Sequence, residues 1–213
     1  MLTKKKLKVI RFNSKKILFD ECYKKVLKSK TFLISGGTTF DYFIKYFPQK
    51  IMPKKKLIMF DERITSIQKK RNYKKIKKIV IKKNIFNFED VKKNITTNKL
   101  KILENKINTF PLPDLALIGI GNDGHIGSIF PTILKKTKNF LICKVNDENF
   151  NRISLNLSYI KKIKNIIFVI NNKNKKNILK KLLSNKPDNK MPVFKLIKDA
   201  RNKVFLYYLK NNI

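Results

Sequence analysis

Hydrophobic residues form short apolar runs that are separated by longer segments of mixed character. Three runs, Thr31–Ile34, Leu57–Phe60 and Leu115–Ile118, are four residues long and almost wholly apolar. Such runs are typical of strands that are buried on both faces of a sheet. Further apolar or alternating segments predict strands at Leu7–Phe12, Phe140–Val145, Ile153–Leu157, Ile166–Ile170 and Val204–Leu209.

Segments with a helical period lie between the predicted strands. In Ser14–Leu27 the apolar side chains recur on one stripe, and Asn13 or Ser14 is the expected N-cap. Because strands and helices alternate, the sequence predicts an α/β fold in a single domain over residues 1–213, with a mostly parallel, Rossmann-like sheet and helices on both faces. The other predicted helices are Asp41–Phe47, Tyr73–Ile79, Val91–Ile107 and Lys175–Leu183.

The charge of the chain is extreme, with 51 Lys and Arg against 14 Asp and Glu in 213 residues, a net charge of +37. Hydrophobic residues make up 42% of the chain, which is enough to form a core and argues against disorder. Only five of the basic residues are Arg, and the lysines are dispersed. Two interpretations stay open: a lysine-rich surface from compositional bias, or a surface that binds nucleic acid or another polyanion.

Other features exclude several classes of protein. Cys22 and Cys143 are the only cysteines, so a disulfide framework is excluded and a reducing cytoplasm is the expected location. No apolar run approaches 18 residues, and the basic start is not followed by the apolar segment of a signal peptide. We therefore expect neither a membrane protein nor a secreted one. A cluster of His and Cys that could bind zinc is also absent from the sequence.

The glycines mark two candidate ligand-binding turns, because each of them follows a predicted strand closely. Ligands of open α/β sheets bind beyond the carboxyl ends of the strands, where glycine allows close approach to the backbone. The first segment, Ser35-Gly36-Gly37-Thr38-Thr39, can bind a phosphate through N–H and hydroxyl groups, or can be an ordinary tight turn. The six glycines are Gly36, Gly37, Gly119, Gly121, Gly124 and Gly127.

The second segment contains His125, the only histidine of the chain. A lone histidine is more often a surface or core residue than a catalyst, but His125 lies at a strand end, two residues after Asp123. An imidazole that a carboxylate orients is suited to remove a proton from water or substrate. Asp61-Glu62-Arg63, at a third strand end, either contributes charged groups to the same edge or forms a surface ion pair.

Taken together and in this order, the strand-end motifs resemble those of the 6-phosphogluconolactonase family, the sugar-lactone hydrolases of the pentose phosphate pathway. The relatives of this family are the glucosamine-6-phosphate deaminases/isomerases. The resemblance extends from Thr31 to Val193, and its most specific part is the Asp-Gly-His motif. The matching segments are TFLISGG (31–37), IMFDER (58–63), DLALIGIGNDGHIGSIFP (114–131) and RISLNL (152–157).

The resemblance implies a hydrolase of 6-phosphoglucono-δ-lactone that needs no metal or cofactor, and a role for each matching residue. His125 would be the general base that activates water, and Asp123 would orient it. Ser35, Gly36, Gly37 and Thr38 would form the loop that holds the 6-phosphate. Positive charge for the phosphate or for the developing oxyanion would come from Arg63, Arg152 and Lys175. Asp61 would contact sugar hydroxyls.

Two other functions stay open on the sequence alone. An amino-sugar phosphate deaminase is the first, although its motif continues with Asn-Glu-Pro where this chain has Ser128-Ile129-Phe130-Pro131. The second is a polyanion-binding protein whose function is the charge itself. The binding partner that we expect is a small phosphorylated sugar lactone. We expect no binding to membranes, and we expect the protein to be a monomer.

Overall fold

A computed structural model describes residues 7–46, 54–91, 94–130, 133–144, 149–184, 188–200 and 203–212. Their strands are β1 (Leu7–Phe12), β2 (Thr31–Ile34), β3 (Lys56–Met59), β4 (Asp61–Arg63), β5 (Ile85–Phe86), β6 (Leu115–Gly119), β7 (Ile133–Lys136), β8 (Phe140–Lys144), β9 (Asn151–Leu155), β10 (Asn165–Ile170) and β11 (Lys203–Leu209). Their α-helices are α1 (Lys15–Lys28), α2 (Asp41–Tyr46), α3 (Tyr73–Ile76), α4 (Thr97–Asn108), α5 (Leu157–Ile160), α6 (Lys176–Leu183) and α7 (Pro192–Asp199).

Seven strands form one parallel sheet in the order β1-β11-β10-β6-β2-β3-β5. Its central strands are the continuous apolar runs, and they are buried along almost their whole length. The chain winds outward from β2 to β3 and β5 on one side, and from β6 to β10 and β11 on the other. The point between β2 and β6 is therefore the topological switch point, where ligands bind in open α/β sheets.

A second sheet of four antiparallel strands has the order β4-β9-β8-β7. Its strand β4 begins two residues after β3 ends, so the chain passes directly from one sheet to the other. Side chains from both sheets belong to one cluster of buried apolar residues. The architecture is thus a single α/β domain, which confirms the predicted fold class, and the second sheet is an addition to it.

Most predicted elements are confirmed with small changes at their ends. Leu7–Phe12 and Thr31–Ile34 are strands with the predicted bounds, and α1 begins after Ser14, whose side chain accepts a hydrogen bond from the Ile17 N–H at 3.2 Å. Phe47 and Val145, the last residues of two predicted elements, lie outside the described residues.

Three predicted boundaries are wrong. The strand expected at 153–157 ends at Leu155, because the Asn156 side chain caps helix α5 there. The helix expected at 91–107 begins only at Thr97, because Thr96 supplies the N-cap. The helix expected at 73–79 ends at Ile76. In each of the first two cases a short polar side chain satisfies a free N–H group of the first turn, and this fixes where the helix begins.

Candidate active site

A cavity of about 440 Å³ opens at the carboxyl ends of β2 and β6, at the switch point of the parallel sheet. The structure describes all the site residues that the sequence predicts, and all of them except Gly36 and Asp123 line this cavity. The cavity therefore brings together side chains from both sheets. The lining residues are Ser35, Gly37, Thr38, Thr39, Asp61, Arg63, Asn72, Gly119, Ile120, Gly121, Asn122, His125, Gly127, Phe130, Arg152 and Lys175.

The turn after β2 is tied to the end of β6. Ser35 extends the strand pairing, because its N–H donates to the Leu117 carbonyl at 3.1 Å. Its hydroxyl accepts a hydrogen bond from the Gly119 N–H at 2.9 Å. Gly37 then caps a short 3₁₀ turn over Thr38–Phe40 that leads into α2. The first N–H groups of such a turn have no partner within it, so the turn can receive an anion.

Lys175 reaches the same turn from the segment after β10. Its Nζ donates to the Thr39 hydroxyl at 3.1 Å, and the Asn171 side chain donates to the Thr39 carbonyl at 2.9 Å. Burial lowers the pKa of Lys175 from its ordinary value, because the loss of water disfavours the charged ammonium. An anion in the cavity would favour the charged form.

His125 and Asp123 form the pair that the sequence predicts. The His125 Nδ1 lies 2.5 Å from the Asp123 Oδ1, and the His125 N–H also contacts that oxygen at 3.2 Å. Burial raises the pKa of Asp123, but the charge of His125 and its hydrogen bonds outweigh burial and lower the pKa below its ordinary value. Asp123 is therefore a carboxylate at neutral pH, suited to orient the imidazole.

Two neighbours confine the imidazole ring. A Cβ on Gly121 would lie 2.1 Å from the His125 Cε1, so the ring sits directly against the Gly121 backbone. The Phe130 ring packs beside the imidazole with 4.5 Å between centroids. The Gly121 N–H donates to the His125 carbonyl at 2.9 Å and closes the loop that carries both residues. The glycine is thus needed because the catalytic candidate occupies the space of a side chain.

Asp61 is buried and held in place by two side chains. The Ser128 hydroxyl donates to the Asp61 Oδ2 at 2.8 Å, and the Asn72 amide lies 3.3 Å from the same oxygen. Asn72 also packs against Gly36 so closely that a Cβ added at Gly36 would lie 2.3 Å from the Asn72 Cβ. Gly36 therefore serves the close approach of Asn72, and the carboxylate of Asp61 faces the cavity in a fixed position.

Arg63 and Arg152 are direct neighbours across the β4 and β9 pair. Arg63 Nη1 donates to the Lys70 carbonyl at 2.6 Å, and the Arg152 guanidinium lies 5.4 Å from the centre of the Phe130 ring. Both line the cavity together with Lys175. The site consequently combines three cations with one buried carboxylate and a His–Asp pair, a composition that suits an anionic, hydroxylated ligand.

The sequence does not reveal the roles of Asn72 and Phe130, which line the cavity, or of Arg71, which pairs with Glu62 beside it. Phe130 belongs to the segment Ser128–Pro131, and Arg71-Asn72-Tyr73 resembles a Ser-Asn segment of the family, but no role follows for any of them because their contacts come from distant parts of the chain. Arg71 is buried and paired with Glu62 at 3.6 Å and with Glu89. A basic residue directly after a lysine-rich stretch carries no signal of burial. Among the described residues, no three His, Cys, Asp or Glu side chains meet as metal ligands.

The fold and the cavity define an α/β protein with a cationic ligand crevice at the switch point of its sheet. More particularly, the chain belongs to the family of glucosamine-6-phosphate isomerases/6-phosphogluconolactonase, whose sequence model matches residues 18–206. The match includes both glycine segments, the His–Asp pair and the Asp-Glu-Arg strand.

Known proteins are similar to this chain in sequence and in fold. A 6-phosphogluconolactonase of Helicobacter pylori is 24% identical over 119 residues, which are 54% of this chain and 52% of that protein. The chain thus spans about half the length of the curated relatives that it matches. The crystal structure of 6-phosphogluconolactonase from Leishmania guyanensis superposes with a TM-score of 0.78 at 17% identity, covering 96% of this chain and 97% of that one.

A monomeric glucosamine-6-phosphate deaminase superposes almost as well, with a TM-score of 0.77 at 14% identity over 96% of this chain and 98% of that one. At these identities the superpositions establish the fold, which both branches of the family share. The choice between the two activities must come from the residues of the cavity.

Proposed function

We propose that this protein hydrolyses 6-phosphoglucono-δ-lactone to 6-phosphogluconate. The observation that carries the proposal is the His125–Asp123 pair at the edge of a cavity that three cations line. Its curated relatives are named 6-phosphogluconolactonases, as in Helicobacter pylori. A lactone with a phosphate group matches both the charge and the hydrogen-bonding groups of the cavity.

In the proposed reaction, His125 acts as the general base. Because Asp123 accepts the proton of Nδ1, the Nε2 atom carries the lone pair and takes a proton from water. The water oxygen attacks the lactone carbonyl, and a tetrahedral oxyanion forms. The ring oxygen then leaves with the proton that the imidazole returns, so that water and lactone become a carboxylic acid and a hydroxyl group, and the acid ionises.

The cations have two tasks in this reaction. Lys175, together with the turn at Gly37 and Thr38, binds the phosphate, while Arg63 and Arg152 lie on the other sheet and stabilise the oxyanion. Gly36 supports the turn through Asn72, and Ser35 ties it to β6. Asp61, which Ser128 and Asn72 hold, accepts hydrogen bonds from sugar hydroxyls. The tetrahedral oxyanion adds one negative charge to the phosphorylated lactone, so the positive cavity favours the transition state over the bound substrate.

A deaminase of glucosamine 6-phosphate is the second candidate, because a structure of that activity shares the fold. The motif after His125 argues against it. The residue five positions on is Phe130, which packs on the imidazole, and no carboxylate lies at that place. A second acid beside the histidine would be needed for the additional proton transfers of ring opening and amine loss.

The test uses the purified protein with each of the two substrates. Lactone opening is followed by acid release against the spontaneous rate, and ammonia release is followed with glucosamine 6-phosphate. We expect acceleration of lactone opening and no ammonia. Ammonia release without lactone opening would replace the proposal with the deaminase, and activity on neither substrate would refute both.

A further inference from the structure

Phe130 lies between the proposed base His125 and the cation Arg152, and its own side chain has no group that could take part in the reaction. Its ring packs beside the His125 imidazole with a centroid distance of 4.5 Å and an angle of 36° between the planes. The Arg152 guanidinium carbon lies 5.4 Å from the centre of the same ring. Both distances fall within the range of favourable aromatic and cation–π contacts.

The backbone of Phe130 is fixed to the strand next to Arg152. The Cys143 thiol donates a weak hydrogen bond to the Phe130 carbonyl at 3.8 Å. Cys143 is the direct neighbour of Arg152 across the β8 and β9 pair. The Phe130 backbone and Arg152 are therefore both neighbours of Cys143 on β8, although Phe130 lies in the same connection after β6 as His125.

The imidazole is confined on its other sides by groups of its own loop, namely the Asp123 carboxylate and the Gly121 backbone. Ser128 of the same loop is hydrogen-bonded to the second sheet through Asp61 and Ser154, and the Phe130 ring adds a contact from the imidazole itself to Arg152 of that sheet. Phe130 is half-buried, lines the cavity and packs against the apolar core, so it has little freedom to move.

We infer that Phe130 is a positioning residue that sets the distance between the base His125 and the cation Arg152 by contacting both. This role rests on the proposed function. In the reaction, water must lie at the His125 Nε2 while the oxyanion forms near Arg152, so the spacing of these two groups determines whether attack and charge stabilisation occur together. A change of about 1 Å in such a spacing can cost about 100-fold in rate.

The test compares Phe130→Leu with Phe130→Tyr and with a matched control, Phe110→Leu. Leucine keeps an apolar side chain but removes the ring, and tyrosine keeps the ring. Phe110 is also a half-buried phenylalanine with a cation over its ring, the Lys56 ammonium at 5.7 Å, and it does not line the cavity. A loss of lactone hydrolysis in Phe130→Leu that is absent from Phe110→Leu is specific to the site.

The first measurement needs no substrate. Because His125 is the only histidine of the chain, its imidazole gives a single set of proton NMR signals that need no further assignment. We expect Phe130→Leu to move these signals through loss of the ring current, and Phe110→Leu to leave them in place. Unmoved signals in a folded Phe130→Leu protein would overturn the inference.

The second measurement is lactone hydrolysis. For Phe130→Leu we expect kcat/KM to fall about 10- to 100-fold, with a lower kcat as well as a higher KM, and Phe130→Tyr to restore most of it. A Phe130→Leu enzyme with the rate of Phe110→Leu would overturn the positioning role. If Phe130→Leu does not fold, Phe130→Met, which also lacks a ring, takes its place under the same criteria.

The two measurements separate the two proposals. Absence of lactone hydrolysis in the unaltered protein would refute the proposed function, while the imidazole signals would still decide whether Phe130 holds His125. Hydrolysis in the unaltered protein with an unaffected Phe130→Leu variant would refute the positioning role alone.

Discussion

The His125 imidazole is held at three places by neighbours of different chemistry. The Asp123 carboxylate contacts its Nδ1 at 2.5 Å, the Phe130 ring packs beside it, and the Gly121 backbone lies where a side chain would otherwise begin. Hydrogen bonding selects the tautomer, and the two packing contacts select the orientation. The proposed base therefore needs little reorganisation before it accepts a proton.

Gly121→Ala tests this arrangement at the smallest scale. The new Cβ would lie 2.1 Å from the His125 Cε1 and 2.2 Å from its Nδ1, so the imidazole must move. We expect kcat/KM for lactone opening to fall about 10- to 100-fold and the imidazole NMR signals to shift.

Gly37→Ala is the matched control for the imidazole signals. A Cβ at Gly37 has no neighbour within 4 Å, and the residue has no positive φ, so the fold and His125 should be undisturbed. Unchanged signals and kinetics in Gly121→Ala would show that the ring does not depend on this contact.

Residues of the site differ in how far the sequence reveals them. His125, Asp123 and the Gly36-Gly37 turn stand out because they closely follow apolar strands and are either ionisable or conformationally free. Asn72 and Phe130 do not stand out, because their importance lies in contacts with Asp61, Arg152 and His125 that only the folded chain brings about.

Among the elements, β4 connects the candidate active site with a buried ion pair. Glu62 accepts hydrogen bonds from the N–H groups of Asn72 at 2.7 Å and Tyr73 at 2.9 Å, where α3 begins. Burial raises the pKa of Glu62, although these donors and the Arg71 charge act in the opposite direction. Arg71 thus partly offsets the cost of a carboxylate that fixes both β4 and the segment carrying Asn72.

Arg71→Met leaves Glu62 buried without its cation, and we expect the free energy of unfolding at pH 8 to fall by about 3–5 kcal/mol. Loss of Arg71 raises the pKa of Glu62 further, so the folded state binds a proton more tightly than the unfolded state does. The deficit relative to the unaltered protein should therefore shrink as the pH falls from 8 to 5. Urea unfolding of both proteins at pH 8 and pH 5 measures this difference in the free energy of unfolding.

Lys106→Met provides the comparison at the surface. Lys106 pairs with Asp90 at 3.1 Å, but both side chains are about a third exposed, at 33% and 39%. Such a pair contributes at most about 1 kcal/mol, because water screens the attraction between exposed charges. Equal effects of Arg71→Met and Lys106→Met would contradict the account of the buried pair.

The elements of the parallel sheet are predictable because each central strand is apolar on both faces, as in β2 and β6. Strand β4 cannot be predicted in this way, because Asp61, Glu62 and Arg63 have the composition of a polar turn. They pair with β9 since Asp61 and Glu62 find buried partners at the site and at Arg71. Strand β4 thus depends on polar contacts that hydrophobic periodicity does not reveal, whereas β8 and β9 of the same sheet follow from apolar segments.

On the scale of the whole molecule, the net charge is +37, and the lysines that the structure describes are spread over the surface. Exposed lysines lie on α1, α2, α3, α4, α6 and α7, and on strands of both sheets. This distribution favours the interpretation as a lysine-rich surface over that of a surface that binds a polyanion. Within the described residues, no helix has the length and apolar character required to cross a membrane.

Like charges at this density repel one another, so salt should stabilise the fold. Screening shortens from about 30 Å at 0.01 M to about 8 Å at 0.15 M salt. We expect the thermal midpoint to rise with sodium chloride over this range, and kcat/KM for the anionic lactone to fall while kcat stays constant. A midpoint that is constant or falls would show that the surface charge does not destabilise the fold.

The proposed function depends on one reaction at one residue. The most direct measurement compares the rate of 6-phosphoglucono-δ-lactone opening by the unaltered protein, by His125→Ala and in buffer alone. We predict strong acceleration by the unaltered protein and a loss of about 100- to 10,000-fold in His125→Ala, the contribution of a general base. A folded His125→Ala protein as active as the unaltered one, or an unaltered protein no faster than buffer, would contradict it.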